Sequence, residues 1–155
     1  MNFVKKFYSY PVKEKFDLLF VGADFPKEKS FYQVSRFFNY ILDKKNLLNK
    51  KGAIFIFSDL KKVKSKAEEN FEKLLKKDSI PSDYPFNNSG EHRAYKVRQA
   101  LRKACLGLIN PKGYGEFSKI LFFRNYKEAL CWAKKNVKED LKIGIIPAGF
   151  SFLPY

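Results

Sequence analysis

The sequence predicts a single α/β domain, with an open, mostly parallel sheet of about five strands and helices on both faces. Two observations support this prediction. Short apolar runs recur along the 155 residues, and amphipathic segments with helical spacing separate them. Continuous apolar runs are typical of strands that are buried on both faces of a parallel sheet, and alternation with helices implies right-handed crossovers. The length fits one Rossmann-like domain over residues 1–155.

Each predicted strand is a short run of mostly apolar residues. The first reads FDLLFV and the second AIFIF, and both are rich in the aromatic and β-branched residues that favour strands. The later runs LGLI, ILFF and IGII have the same character. The predicted strands are Phe16–Val21, Ala53–Phe57, Leu106–Ile109, Ile120–Phe123 and Ile143–Ile146.

Helices are predicted where apolar residues return every three or four positions between the strands. The inward stripes begin at Phe31, Ala67 and Tyr126, and a further helix is expected from about Glu91 to Ala104. Capping-box spacing supports three helix starts, because a Ser or Asn precedes a Glu or Gln by three positions. The predicted boxes pair Ser30 with Gln33, Ser65 with Glu68, and Asn125 with Glu128.

One long connection, Asp78–Gly90, is rich in Pro, Asn and Ser. Loops of this length in compact domains are usually functional or mobile, so we expect this segment to do more than connect two helices. The PKGYGEF stretch contains only a G-x-G, with neither the third glycine nor the lysine of a nucleotide-binding loop. A turn is the better interpretation of that stretch.

The formal charge of +15 raises the hypothesis of nucleic-acid binding. The lysines are scattered from Lys5 to Lys142, and the densest pairs fall at predicted helix ends or solvent faces. This distribution favours an ordinary solvated basic surface. A basic nucleic-acid binder therefore remains only the weakest of the functional alternatives.

The residue types exclude several other classes of site. Cys105 and Cys131 lie in apolar stretches and are predicted to be buried thiols, and His92 is the single histidine. No metal site is predicted, because one histidine without a C-x-x-C pair cannot supply a ligand set. The apolar runs are too short to span a bilayer, and residues 1–10 lack a signal-peptide core. We therefore predict a cytoplasmic protein that does not act at a membrane.

The stretch 22–33, GADFPKEKSFYQ, follows the first predicted strand. It resembles the start of the C-terminal domain of the nickel-dependent lactate racemase family, where the pattern runs approximately G-x-P-K-D-x-N-x-Y-Q. Glu28 replaces the family's Asp, and Ser30 replaces its Asn. The matching residues are Pro26, Lys27, Tyr32 and Gln33.

Other segments resemble the same domain in the same order. The lead-in FVKKFYSYPVKEKFDLLFV, the strand LNKKGAIFIFSD, the late helix NYKEALCWA and the ending IGIIPAGFSFLPY are each similar to the family, so the resemblance covers nearly the whole chain. In that family two α/β domains close around a nickel-pincer nucleotide, which racemises a 2-hydroxy acid by hydride transfer. The cofactor is attached to a lysine of the N-terminal domain, which also carries the metal-ligating and general-base histidines.

The resemblance implies a division of labour. Residues 1–155 would be the substrate-anchoring domain, with no catalytic residue and no cofactor of its own. The nickel-pincer nucleotide would be attached to a cofactor-bearing N-terminal domain, in the same or a separate chain, and the substrate would be a small 2-hydroxy acid. The isolated chain is expected to be inactive, and isomerase chemistry would require that second domain.

By the same resemblance, Gln33 and Arg36 would hold the substrate carboxylate beside Tyr32, with Arg36 where the family usually has lysine. A cation and an amide donor suit a carboxylate, because charge-assisted hydrogen bonds are strong and fix its orientation. His92 and Arg93 are the other two candidate site residues, and Arg93 takes the place of a tryptophan. The alternatives are that Gln33 caps the helix at Ser30, and that Arg36 and His92 are ordinary surface residues.

Three departures of this sequence from the family pattern favour an alternative function. The segment Asp59–Lys64 lacks the glycines that the family has in this turn, and the substitutions at Arg36 and Arg93 alter the expected anchoring groups. A non-catalytic binding module for a carboxylate or phosphate is therefore the alternative to a racemase or epimerase domain.

Overall fold

A computed structural model describes residues 9–10, 14–23, 30–45, 47–60, 65–111, 117, 119–147 and 153–154. The Pro26-Lys27 motif with Glu28, residues 61–64, the glycines at 113 and 115, and the tail segment 148–152 lie outside the described residues. The described strands are β1 (Ser9–Tyr10), β2 (Phe16–Gly22), β3 (Leu48–Phe57), β4 (Cys105–Ile109), β5 (Leu121–Phe123), β6 (Ile143–Ile146) and β7 (Leu153–Pro154). The described helices are α1 (Phe31–Val34), α2 (Arg36–Asn39), a π-helix (Tyr40–Lys45), α3 (Lys66–Leu75), α4 (Glu91–Leu101) and α5 (Tyr126–Asn136).

The predicted fold class is confirmed. Strands β2 to β6 form an all-parallel open sheet in the order β5-β4-β3-β2-β6, and β1 pairs with β7 in a separate parallel ribbon. The five predicted strands correspond to β2 to β6, although β3 begins five residues before the predicted start at Ala53. Successive strands β2 to β5 extend the sheet in one direction, and the chain then returns to place β6 beside β2.

Helices cover both faces of the sheet, as predicted. Alternate residues of β2 point to opposite sides: Leu19 and Val21 join one buried cluster, while Leu18 and Phe20 join the other. The first cluster contains the inward residues of α1 to α4 and of the π-helix, and the second contains Ala129 and Ala133 of α5. One face is therefore covered by most of the helices and the other by α5.

The predicted helix after β2 is interrupted. Its buried stripe includes Phe31, Val34, Phe38 and Ile41 as expected, but a turn at Ser35 divides the segment, which ends in the π-helix. The Ser35 backbone remains right-handed helical, and its N–H still donates to the Phe31 carbonyl oxygen at 2.9 Å. The Ser35 hydroxyl donates a hydrogen bond to the Tyr32 carbonyl oxygen at 2.9 Å, and this type of local bond competes with regular helix hydrogen bonding.

Two of the three predicted helix caps are confirmed, because the side chain of the capping residue accepts from the backbone N–H three positions later. Ser65 and Glu68 form a complete capping box, and the Asn125 side chain accepts from the Glu128 N–H at 3.0 Å. The box predicted at Ser30 is wrong, because Ser30 makes no side-chain cap hydrogen bond and its hydroxyl donates instead to Oε1 of Glu68. Glu68 therefore connects the start of α1 to the start of α3.

The prediction of two buried thiols is also wrong. Cys131 is exposed on α5, and Cys105 is only partly buried at the start of β4. Burial raises the pKa of the Cys105 thiol, which keeps it in the less reactive protonated form near neutral pH.

The α5 face of the sheet is incompletely covered near β6. The register pairs Ile143 with Leu18 and Ile145 with Phe20, so both isoleucines lie on this face, and their exposed fractions are 39% and 72%. Phe57 of β3 is 37% exposed and its ring centroid lies 5.7 Å from that of Phe20. These three residues form an exposed apolar strip.

Among the described residues, no helix has the length and apolar character needed to span a membrane.

Asp17 ties the start of β2 to both neighbouring strands. Its carboxylate accepts from the Lys142 backbone N–H at 2.9 Å and from the Asn49 side-chain amide at 2.8 Å, and these bonds lower the pKa of the carboxyl. Since the folded pKa lies below the unfolded one, ionised Asp17 stabilises the fold above the ordinary carboxyl pKa of about 3.9. That contribution is lost as the pH falls through the lowered pKa.

We therefore expect Asp17→Asn to lower the free energy of unfolding by about 1 kcal/mol near neutral pH. The deficit relative to the unsubstituted protein should shrink as the pH falls below about 4. Urea denaturation from neutral pH to below about pH 4 measures the loss of stability and its dependence on pH. Asp140→Asn, at an exposed residue, is the control. A deficit that is independent of pH would show that the ionised carboxylate is not the stabilising species.

Candidate functional site

A cavity of about 390 Å³ lies in the groove between two helical segments on one face of the sheet. One wall comes from α1, α2 and the π-helix, and the other from the first two turns of α4. The lining residues of the first wall are Tyr32, Arg36, Asn39, Tyr40 and Asp43. The lining residues of the second wall are Gly90, His92, Arg93 and Lys96.

The topology places the upper part of this groove at the carboxyl edge of the sheet. Helix α1 follows the carboxyl end of β2, and α4 runs down into the amino end of β4, so both helices begin at the same edge. Open parallel sheets bind ligands beyond the carboxyl ends of their strands where the strand order reverses, which in this sheet is between β2 and β6. The groove shares this carboxyl edge but lies on the face that α1 to α4 cover. Tyr32 and Arg36 are four residues apart, and this spacing directs both to one side of their segment.

Arg93 is one of the three cations that line the cavity. Its guanidinium carbon lies 4.7 Å from the centroid of the Tyr32 ring, a cation–π contact across the groove. Burial lowers the pKa of Arg93, and the nearby Arg36 charge lowers it further. Its buried Nε has no hydrogen-bond partner among the described residues. Arginine stays protonated in proteins, so the burial of Arg93 carries a desolvation free energy. An anionic ligand would offset that free energy.

The charges that border the cavity do not cancel. Arg36, Arg93 and Lys96 contribute three positive charges, while Asp43 is the acidic residue among the described lining. Asp43 already pairs with Lys103, whose ammonium lies 2.6 Å from its carboxylate. The start of α4 adds the positive end of a helix dipole at Gly90. The site is therefore electropositive and suited to an oxyanion.

The long loop Asp78–Gly90 positions His92. The Phe86 ring makes edge contacts with His92 at 5.5 Å and with Tyr95 at 5.3 Å between ring centroids. Glu91 fixes the end of the loop by accepting from the Asn88 N–H, the Asn88 amide and the Tyr84 hydroxyl. The Asn88 side-chain bond lowers the pKa of the Glu91 carboxyl. The loop thus supports one edge of the cavity.

The structure brings four of the five sequence-predicted site residues to one cavity. Tyr32, Arg36, His92 and Arg93 all line it, although the two pairs are about 60 residues apart in the chain. Gln33 is half-buried and is not among the described residues of the lining. The described residues contain no group of three or more potential metal ligands.

Several lining residues were missed from the sequence. Lys96 follows Arg93 by three positions and His92 by four, so helical spacing alone could have added it. Asn39, Tyr40 and Asp43 follow Arg36 by three, four and seven positions, so the same spacing could have added them too.

The chain matches no protein-family model and no curated protein. Its fold is similar to that of the lactate racemase apoprotein from Thermoanaerobacterium thermosaccharolyticum, with a TM-score of 0.78 and 18% sequence identity. The similarity covers 99% of this chain and 39% of that chain. This chain therefore spans about two fifths of that protein's length, and the likeness shows a shared fold.

Proposed function

We propose that this chain is the substrate-anchoring domain of a lactate racemase-like 2-hydroxy acid racemase or epimerase. It would act with a cofactor-bearing domain supplied by the same or a separate chain. The observation that carries the proposal is the electropositive cavity, where residues selected by family resemblance from two distant segments lie together. The fold similarity to a lactate racemase over nearly the whole chain supports the same assignment.

In this role the cavity holds the carboxylate of the substrate. Arg36 is exposed and can form a bidentate pair with an incoming carboxylate from one wall. Arg93 faces it from the other wall, and the Tyr32 ring restrains its guanidinium. A carboxylate fixed between two walls leaves the 2-carbon with few orientations, which is the requirement for presenting it to a reactive centre on another domain.

The residues of this cavity do not fit a nickel-pincer nucleotide as metal ligands. Guanidinium and ammonium groups cannot donate an electron pair to nickel, and His92 lies beside Arg93 without a second nitrogen or sulfur ligand among the described lining. No step of hydride transfer is therefore assigned to this chain. The isolated domain should bind substrate without racemising it.

A non-catalytic binding module is the second candidate function. It is favoured by the position of Gln33, which the resemblance assigns to anchoring but which is not among the described lining residues. A module of this kind would use the same cations for a carboxylate or phosphate ligand. It would not require a 2-hydroxyl group on that ligand.

We expect Arg36→Ala to weaken the binding of lactate by about 10- to 100-fold, because it removes a charge-assisted hydrogen-bonding pair. An NMR titration of the whole chain with D- and L-lactate measures the dissociation constants, since a racemase domain must accept both enantiomers. Arg124→Ala, an exposed arginine that is not part of the cavity lining, is the matched control. Equal lactate affinities of Arg36→Ala and Arg124→Ala would contradict the proposed site. If a lactate analogue without the 2-hydroxyl group binds as tightly as lactate, the binding module is favoured.

A further inference from the structure

We infer that the ligand of this cavity is a 2-hydroxy acid that carries a second anionic group, either a carboxylate or a phosphate. This inference rests on the proposed function and specifies its substrate class. The geometry assigns the first carboxylate to Arg36 and Arg93, and the second anionic group to Lys96.

The first step concerns charge. Arg36, Arg93 and Lys96 all border the cavity, and the acidic residue of the described lining, Asp43, is already paired with Lys103. A ligand with one carboxylate would neutralise one of three positive charges. The remaining like charges would still repel each other in a partly desolvated groove, where such repulsion is weakly screened. A ligand with two anionic groups relieves most of this repulsion.

The second step concerns position. Arg93 and Lys96 are three residues apart on α4, so their side chains start about 5–6 Å apart on one face of the helix. The Arg93 guanidinium lies over the Tyr32 ring, and Arg36 is one helical turn after Tyr32 on the same wall, so Arg36 and Arg93 are near each other across the groove. Lys96 is one turn further along α4 and half-buried. Two anionic groups separated by a short carbon chain match this arrangement.

The third step concerns size. The cavity volume is about 390 Å³, within the range of small-molecule sites. Lactate has six non-hydrogen atoms, and even at about 30 Å³ each, the share of one liquid water molecule, it would occupy roughly 180 Å³. Less than half of the cavity would then be filled. A longer acid with a second charged end uses the space beside Lys96.

Dissociation constants of the whole chain for L-lactate, L-malate and 3-phospho-D-glycerate test this inference, measured by NMR titration at one low ionic strength. The second and third probes carry a second carboxylate and a phosphate, so they distinguish the two sources of charge. At least one of them should bind about tenfold more tightly than lactate. Lys96→Gln should remove most of that advantage and should change lactate affinity much less.

The matched control is Lys134→Gln, which removes the same charge from an exposed position on α5. Equal affinity for all three acids, or equal effects of Lys96→Gln and Lys134→Gln, would overturn the inference and leave the proposed function standing. Succinate, which lacks the 2-hydroxyl group, further distinguishes the two-anion inference from the proposed racemase-type function. If succinate matches malate and both exceed lactate, the two-anion site is supported and the racemase-type function is contradicted, whereas no binding of any acid overturns both.

Discussion

Gly90→Ala is expected to lower the free energy of unfolding by about 3 kcal/mol or more. Gly90 precedes α4 with a φ of 95°, a conformation that costs an L-residue roughly 1–2 kcal/mol. A Cβ placed there would also lie 2.0 Å from the backbone carbonyl oxygen of Ala67 in α3. Backbone atoms cannot rotate away as a side chain can, so α3 and α4 would have to separate. Chemical denaturation measures the loss.

The same substitution should disturb the ligand site, because Gly90 borders the cavity and begins the helix that carries His92, Arg93 and Lys96. Ser89→Ala, at the neighbouring exposed position, is the control and should change stability by less than about 0.5 kcal/mol. If Gly90→Ala were as stable as Ser89→Ala, the close approach of α3 to the start of α4 would be incorrect.

Glu68→Ala is expected to cost about 3 kcal/mol, the second-largest effect. The buried Glu68 carboxylate accepts from the Ser65 N–H at 2.8 Å in the capping box, and its other oxygen accepts from the Ser30 hydroxyl. Removing the carboxylate leaves a buried hydroxyl and a helix-terminal N–H without their acceptor. Each loss typically costs about 1–3 kcal/mol. Thermal and urea denaturation should report the same decrease.

Glu69→Ala provides the comparison, because Glu69 lies in the same first turn but is exposed, and it pairs with the exposed Lys66 at 3.5 Å. Its loss should change stability by less than about 1 kcal/mol. A double-mutant cycle with Ser30→Ala should show strong coupling to Glu68 and none to Glu69. The absence of coupling to Glu68 would contradict the link between α1 and α3.

The sheet could be predicted from the sequence because its strands are continuous apolar runs that local patterns reveal. The amino half of β3 was missed, since Asn49, Lys50 and Lys51 are polar and Lys51 has a positive φ of 65°. The turn at Ser35 was missed because the apolar stripe continues through it, so periodicity gives no sign of it. Local spacing predicts which residues face inward, but not where a helix is interrupted.

The cap at Ser30 shows a second limit. The spacing of Ser30 and Gln33 satisfies the capping-box pattern, yet the hydroxyl bonds to Glu68, which is 38 residues away in the sequence. The hydroxyl donates to a distant carboxylate instead of accepting from a local backbone N–H, and no local pattern could reveal that partner. The grouping of Tyr32 with Arg93 likewise depends on the packing of α2 against α4, so the sequence could suggest its members only through resemblance.

Ionic strength affects two properties of this protein, because the chain has both a high positive charge and the exposed apolar strip of Ile143, Ile145 and Phe57. At low salt the net charge of +15 keeps copies of the chain apart, and the cavity attracts anions most strongly. Added salt shortens the range of that repulsion to about 10 Å at 0.1 M, while the attraction between apolar strips is undiminished. The conditions that weaken ligand binding by screening are thus also those in which charge repulsion between copies is weakest, while the apolar strip stays exposed.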